Sequence, residues 1–109
     1  MSHAVNDKIS LVIATTVANQ LHQHPEWIVM ARENLARWME LNKDSPAMLR
    51  NNREWLAILD RPLQEIVAIL TGASDESQRL RSNSPFVGAL TPAQVLEIKR
   101  RIRHDQTAA

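Results

Sequence analysis

No cysteine occurs among the 109 residues, which removes disulfides, thiolate nucleophiles and cysteine-ligated zinc together and fits a reducing, cytoplasmic setting. Glycine is scarce as well, at two residues, so neither a phosphate-cradling loop nor a dinucleotide fingerprint can be assembled. Long apolar runs are missing. The longest near the N-terminus, Ile9 to Ala14, is broken by Ser10 and followed by Thr15 and Thr16. That falls far short of the ~20 residues of a membrane span, and no basic start with a cleavage pattern marks a signal peptide. Strand signals are absent too: no segment alternates with a period of two, and no Asn-Gly or Asp-Gly pair marks a hairpin turn. The expected fold class is therefore all-α, a compact bundle of about five to six short helices.

A net charge of only +1, from 13 Lys/Arg against 12 Asp/Glu, excludes a global field that draws the chain to nucleic acid or anionic membrane. The distribution is uneven. Met1 to Ser74 carries 7 Lys/Arg against 8 Asp/Glu, whereas Arg79 to His104 carries 6 against the single Glu97. Hydrophobic residues make up 44%, sufficient for one core in a chain of this length. One helical domain over residues 1–105 is expected, with a disordered tail over 106–109.

Proline placement supplies the helix boundaries, because proline in the first helical turn sacrifices no hydrogen bond. His24-Pro25, Ser45-Pro46 and Thr91-Pro92 are three such starts, and Thr91 with Gln94 has the spacing of a capping box. Apolar steps of three and four residues place a first helix from about Asn6 to His22, with Val5, Ile9, Val12, Ile13, Thr16, Val17 and Leu21 on its stripe. A second runs from Pro25 to about Leu41 and a third from Pro46 to about Leu59. A fourth, from Pro62 to Leu70, is expected to be capped by the Asp60 carboxylate and stopped by Gly72. A fifth spans Asp75 to Arg81, and a sixth spans Pro92 to about Arg103 with Val95, Leu96, Ile98 and Ile102 on its buried side. Trp27, Trp38 and Trp55 each fall on an apolar stripe, which core packing explains better than interface anchoring.

The segment Ser84 to Thr91 interrupts this helical text. It contains the only Phe and one of the two Gly, between Pro85 and Pro92, with Arg79 and Arg81 before it and Lys99 to Arg103 after it. An apolar joint of this kind packs against a core or docks a partner, and the reading adopted is that Phe86 faces outward amid positive charge. The cations Lys99, Arg100, Arg101 and Arg103 either grip an acidic surface or simply complement a helix C-terminus.

Three further readings are weighed against blander ones. Gln64 to Arg81 partly follows a helix-turn-helix: Gly72 stands in the turn, Ser74 caps a second helix, and Ser74, Ser77, Gln78, Arg79 and Arg81 are candidate DNA contacts. Its second half departs from that pattern, since Gln78 stands where an apolar anchor belongs, and two ordinary packed helices are the alternative. His22 and His24, two apart before Pro25, are poorly spaced for a metal, so none is expected. No set of groups for acid–base or nucleophilic catalysis can be assembled. The expectation is a non-enzymatic chain with no cofactor.

From Trp55 to Arg101 the chain resembles small bacterial antitoxin-type proteins of two-gene toxin–antitoxin modules. The residues that carry the resemblance are Trp55, Leu56 and Leu59 before Asp60-Arg61-Pro62, then Arg79-Leu80-Arg81, then Ser84-Pro85-Phe86 with Gly88, Leu90, Thr91 and Pro92. The stretch covers under half the chain, and it departs from many antitoxins in having no disordered arm. The resemblance implies an antitoxin that binds and neutralises a co-encoded toxin, often while contacting operator DNA. Candidate partner-binding residues are Arg79, Arg81, Ser84, Phe86, Lys99, Arg100, Arg101 and Arg103. A DNA-binding regulator using Gln64 to Arg81 is the alternative, no membrane partner is expected, and the stripe of the first helix allows a homo-oligomer.

Overall fold

Six α-helices account for the order of the chain in a computed structural model that describes the backbone of residues 3–108 and the side chains of residues 4–105: α1 His3–Gln20, α2 Glu26–Leu41, α3 Pro46–Leu59, α4 Leu63–Thr71, α5 Asp75–Arg81 and α6 Pro92–Ala108, with a 3₁₀ turn Leu21–Gln23 after α1. No strand is present among the described residues. The fold is all-α, and no helix is long and apolar enough to cross a membrane. α6 runs past the expected Arg103 to Ala108, and Ala109 lies outside the described residues.

Local chemistry sets most of these boundaries. At the start of α6 the Thr91 amide donates to Gln94 Oε1 (2.8 Å) and the Gln94 amide to Thr91 Oγ1 (3.2 Å), the reciprocal pairing of a capping box. Ser74 Oγ accepts from the Ser77 amide at 3.1 Å and opens α5. The cap expected of Asp60 is not made. α4 has Pro62 at its cap position with no side-chain bond, and the Asp60 carboxylate instead accepts from Arg32 Nη2 at 2.6 Å, while the same nitrogen donates to the Leu59 carbonyl (3.0 Å). An arginine reaching across from α2 competes successfully for that carboxylate, because an ionised donor makes the stronger bond.

α1 lies against α4, α5 and α6, while α2 pairs with α3 and α3 leads into α4. Being covered on several sides, α1 buries Ala14 and Ala18 as well as Ile9 and Val17, with Leu21 of the 3₁₀ turn buried beyond them, a wider face than the expected stripe. Of that stripe Ile9, Val17 and Leu21 are buried, while Val12, Ile13 and Thr16 are half-buried. Trp55 on α3 is the largest side chain with no exposure at all. Its Nε1 donates to the Leu80 carbonyl at 2.9 Å, and Trp27 and Trp38 pack half-buried against the same core. Leu96 departs from expectation: it stands 63% exposed on α6.

Truncating Trp55 removes a fully buried ring and one of the two donors to the Leu80 carbonyl, which keeps the Asn83 amide at 3.1 Å. Trp55→Ala is expected to cost about 3–5 kcal/mol in urea unfolding; a loss below about 1 kcal/mol, the size of an ordinary surface change, would contradict the placement.

Candidate functional site

The joint after α5 turns inward. Asn34, buried on α2, donates from Nδ2 to the carbonyls of Pro85 (2.9 Å) and Val87 (3.0 Å), which anchors the joint across the bundle. Its Oδ1 accepts from Arg37 Nη2. Gly88 takes φ +97°, a left-handed conformation that only glycine adopts freely, and the chain then returns towards Thr91. Phe86 is sealed inside at 5% exposure, its ring edge-on to the Trp55 indole with centroids 6.2 Å apart. The outward placement expected of Phe86 is corrected: the joint buries Pro85, Phe86 and Leu90 and leaves Val87 outside, because burying an aromatic ring outweighs an exposed alternative whenever a partner ring is in place. Ser84 is half-buried, its hydroxyl oxygen accepting from the Phe86 amide at 3.3 Å.

The two arginines before the joint have separate fates. Arg79 lies on the surface and bridges α5 to α3, donating to Asn51 Oδ1 (3.1 Å), to Glu54 Oε2 (2.8 Å) and to Glu76. Hydrogen bonds to Glu76 first and then to Glu54 raise its pKa above the ordinary guanidinium value, and the bond from Arg79 in turn lowers that of Glu76. Arg81 is buried at 9% exposure. Its Nη1 donates to the Gly72 carbonyl at 2.6 Å and towards the Leu70 carbonyl at 3.4 Å, binding the end of α4 to the end of α5. In the turn it secures, a Cβ added at Gly72 would collide with Ser77 Oγ and the Ala68 carbonyl oxygen. The α4–α5 pair is therefore held closed by its own residues: Ser77 is buried and Gln78 half-buried.

On α6 the cations separate by face. Lys99 is half-buried, and Arg100, Arg101 and Arg103 are exposed. Glu97 accepts from Arg100 Nη2 (2.5 Å) and Arg101 Nε (3.1 Å), and these bonds, Arg100 first, hold its carboxyl below the usual range. Leu96 stands four residues before Arg100 and seven before Arg103, so helical geometry puts the three on one side. They line a shallow recess together with His104. A wider groove, about 500 Å³, lies between α1 and α6 over Val12, Thr16, Leu90, Ile98 and Ile102. The sequence-expected site is thus divided between an interior set, Arg81 and Phe86, and a surface set on α6.

Two contributors escape the sequence reading. Asn34 could have been found as a polar residue on the buried side of α2, one position before Leu35 and three after Ala31; Leu96 carries no such signal. Elsewhere, His24 stacks on Trp27 with ring centroids 4.4 Å apart and lies 2.9 Å from a Glu26 carboxylate oxygen. No cluster of three or more metal-ligating side chains forms among the described residues. Comparison with protein families, with curated proteins and with solved structures gives no match.

Asn34→Ala orphans the Pro85 and Val87 carbonyls and is expected to cost about 1–3 kcal/mol in urea unfolding, with faster amide exchange over residues 84–90. Unchanged stability and exchange would contradict the anchor. The pH dependence has a definite sign. Glu76 and Glu97 have folded pKa values below their ordinary one, so their contribution is complete above about 4.3 and disappears as pH falls through the lowered values. Melting temperature followed by circular dichroism should therefore drop less between pH 5 and 3 in the pair Glu76→Gln and Glu97→Gln than in the wild type, by a small margin because both pairs are exposed. An identical acid limb would exclude these pairs as contributors.

Proposed function

We propose that the chain is a non-enzymatic interaction module that neutralises a co-encoded toxic enzyme through the outward side of α6. The observation that carries this is Leu96, 63% exposed, with Arg100 and Arg103 on the same side of the helix. An apolar centre rimmed by cations suits a partner surface with an apolar patch bordered by carboxylates. Arg101 belongs to another face, at the margin of the α1–α6 groove, and Lys99 is half-buried, so neither is part of this surface. The antitoxin assignment draws on the resemblance of Trp55 to Arg101, whose joint serves here as scaffold for α6 instead of as the contact itself.

The non-enzymatic part of this reading rests on the residue inventory, in which no set of groups for acid–base or nucleophilic work can be assembled. Phosphate contact through α5, the alternative as a DNA reader, has less in its favour. Its Arg79 is shared between two carboxylates, its Arg81 is interior, and its first turn is acidic with Asp75 and Glu76, an arrangement that repels a phosphate backbone.

Co-expression with the product of the adjacent gene and affinity capture test this reading. The wild-type chain is expected to retain that protein. Leu96→Asp is expected to cost about 2 kcal/mol or more of binding with melting temperature unchanged, and Arg100→Glu with Arg103→Glu to slow association, with a small drop in melting temperature from loss of the Arg100–Glu97 pair. Capture that is absent in the wild type, or untouched by all three changes, contradicts it.

A further inference from the structure

The one apolar residue that the joint leaves outside, Val87, borders a recess lined without charge. The recess measures about 320 Å³ and lies between the end of α2, the first half of α3 and the segment after α5, with Trp38, Met48 and Val87 as apolar walls. Asn42, Asn52, Asn83 and two serines complete its lining, and none of these side chains is ionisable in the neutral range. Arg37, one position before Trp38, is bound by Asn34 Oδ1 and is not part of the lining. Val87 is 65% exposed and Met48 47%, and the exposed Leu41 follows Trp38 by three positions on the same side of α2. A chain in which 23% of residues are charged thus lines this recess with apolar, amide and hydroxyl groups alone, and depletion of charge is the compositional mark of an interface centre.

Val87 is also held in place. Its carbonyl and that of Pro85 accept from Asn34 Nδ2 at 3.0 and 2.9 Å, and Gly88 turns the chain back directly after it. A protrusion fixed before contact has little freedom left to lose on binding. Because Val87 borders the recess of its own chain, a two-fold axis beside it sets each Val87 over the recess of the other copy, the reciprocal contact that an isologous interface requires. Electrostatics favours a second copy as the occupant. A neutral surface meets itself without like-charge repulsion, and asparagine amides, which both donate and accept, can pair with their own kind. The α6 side is unsuited to this, because its exposed Arg100 and Arg103 would meet the same cations in a second molecule.

We propose that this face joins two copies of the chain in a symmetric dimer, each Val87 seated in the recess of the other copy against Trp38 and Met48. The assignment is independent of the α6 surface, and its failure would leave the interaction reading intact.

Sedimentation equilibrium of the full chain at up to about 200 μM tests it, with self-association at a Kd of about 20 μM or tighter expected and a limiting mass twice the 12.4 kDa of one chain. Val87→Asp is expected to weaken the dimer at least about tenfold while keeping the helical circular dichroism signal, since the side chain is exposed and the bond to Asn34 uses the main chain. Met48→Lys, at an exposed position of α3, is expected to do the same and decides the matter should the first variant unfold. An equimolar mixture of the two folded variants should associate more tightly than either alone, because one of the two reciprocal contacts then sets the new carboxylate against the new ammonium and the other is native. A wild type that stays monomeric, a dimer untouched by both changes, a dimer dissociated by Leu96→Asp instead, or a mixture no tighter than its components overturns the proposal. A monomeric wild type whose capture of the co-encoded protein is abolished by Val87→Asp would assign this face to the unlike partner and overturn it as well.

Discussion

The Trp55 indole determines where the C-terminal third of the chain goes. Fully enclosed, it makes one hydrogen bond, to the carbonyl of Leu80 at 2.9 Å, and one edge-to-face contact, to the ring of Phe86. A buried indole N–H needs an acceptor and a buried ring favours a perpendicular neighbour; both needs are met by residues within one short stretch. That double demand draws α5 and the joint onto α3. Asn34 then closes the arrangement from α2, supplying donors to two carbonyls that an inward-turning loop would otherwise leave unsatisfied.

Once the joint is inside, its flanking cations divide into those consumed by the fold and those available to a partner. Arg79 joins α5 to α3 through Glu54 and Asn51, and Arg81 fastens the α4–α5 turn through main-chain carbonyls. Of the two helices that flank the joint, α6, launched by its capping box and held by Ile102, Val95 and Ile98, presents arginines on an open face beside an exposed leucine. The basic character of the C-terminal third thus serves two purposes in two places. The interior one fastens the α4–α5 turn; the exterior one forms a mixed apolar and cationic surface.

What could be read from the residues was what local chemistry decides. The pairing of Thr91 with Gln94, the Ser74 cap, the proline starts and the three-and-four spacing of apolar residues all act within a few positions, and the helices begin and end close to where those signals place them. The errors have a common cause in partners distant along the chain. Asp60 was taken from the α4 cap by Arg32, 28 residues earlier, and Phe86 was turned inward by a joint that Asn34 holds from 51 residues before Pro85. Arg81 looked like a surface cation because nothing in its immediate neighbours announces the carbonyls of Leu70 and Gly72. Leu96 is the converse case, a leucine at core spacing whose helix meets α1 along a neighbouring line.

Phe86 is the only phenylalanine in the chain, so its ring protons can be followed without ambiguity by proton NMR. Nuclear Overhauser contacts from that ring to the Trp55 indole, persisting in the full chain at neutral pH, are the result expected of a joint sealed in the core. A ring that shows none of them, with the shifts of a solvent-exposed side chain, would contradict the account at its centre.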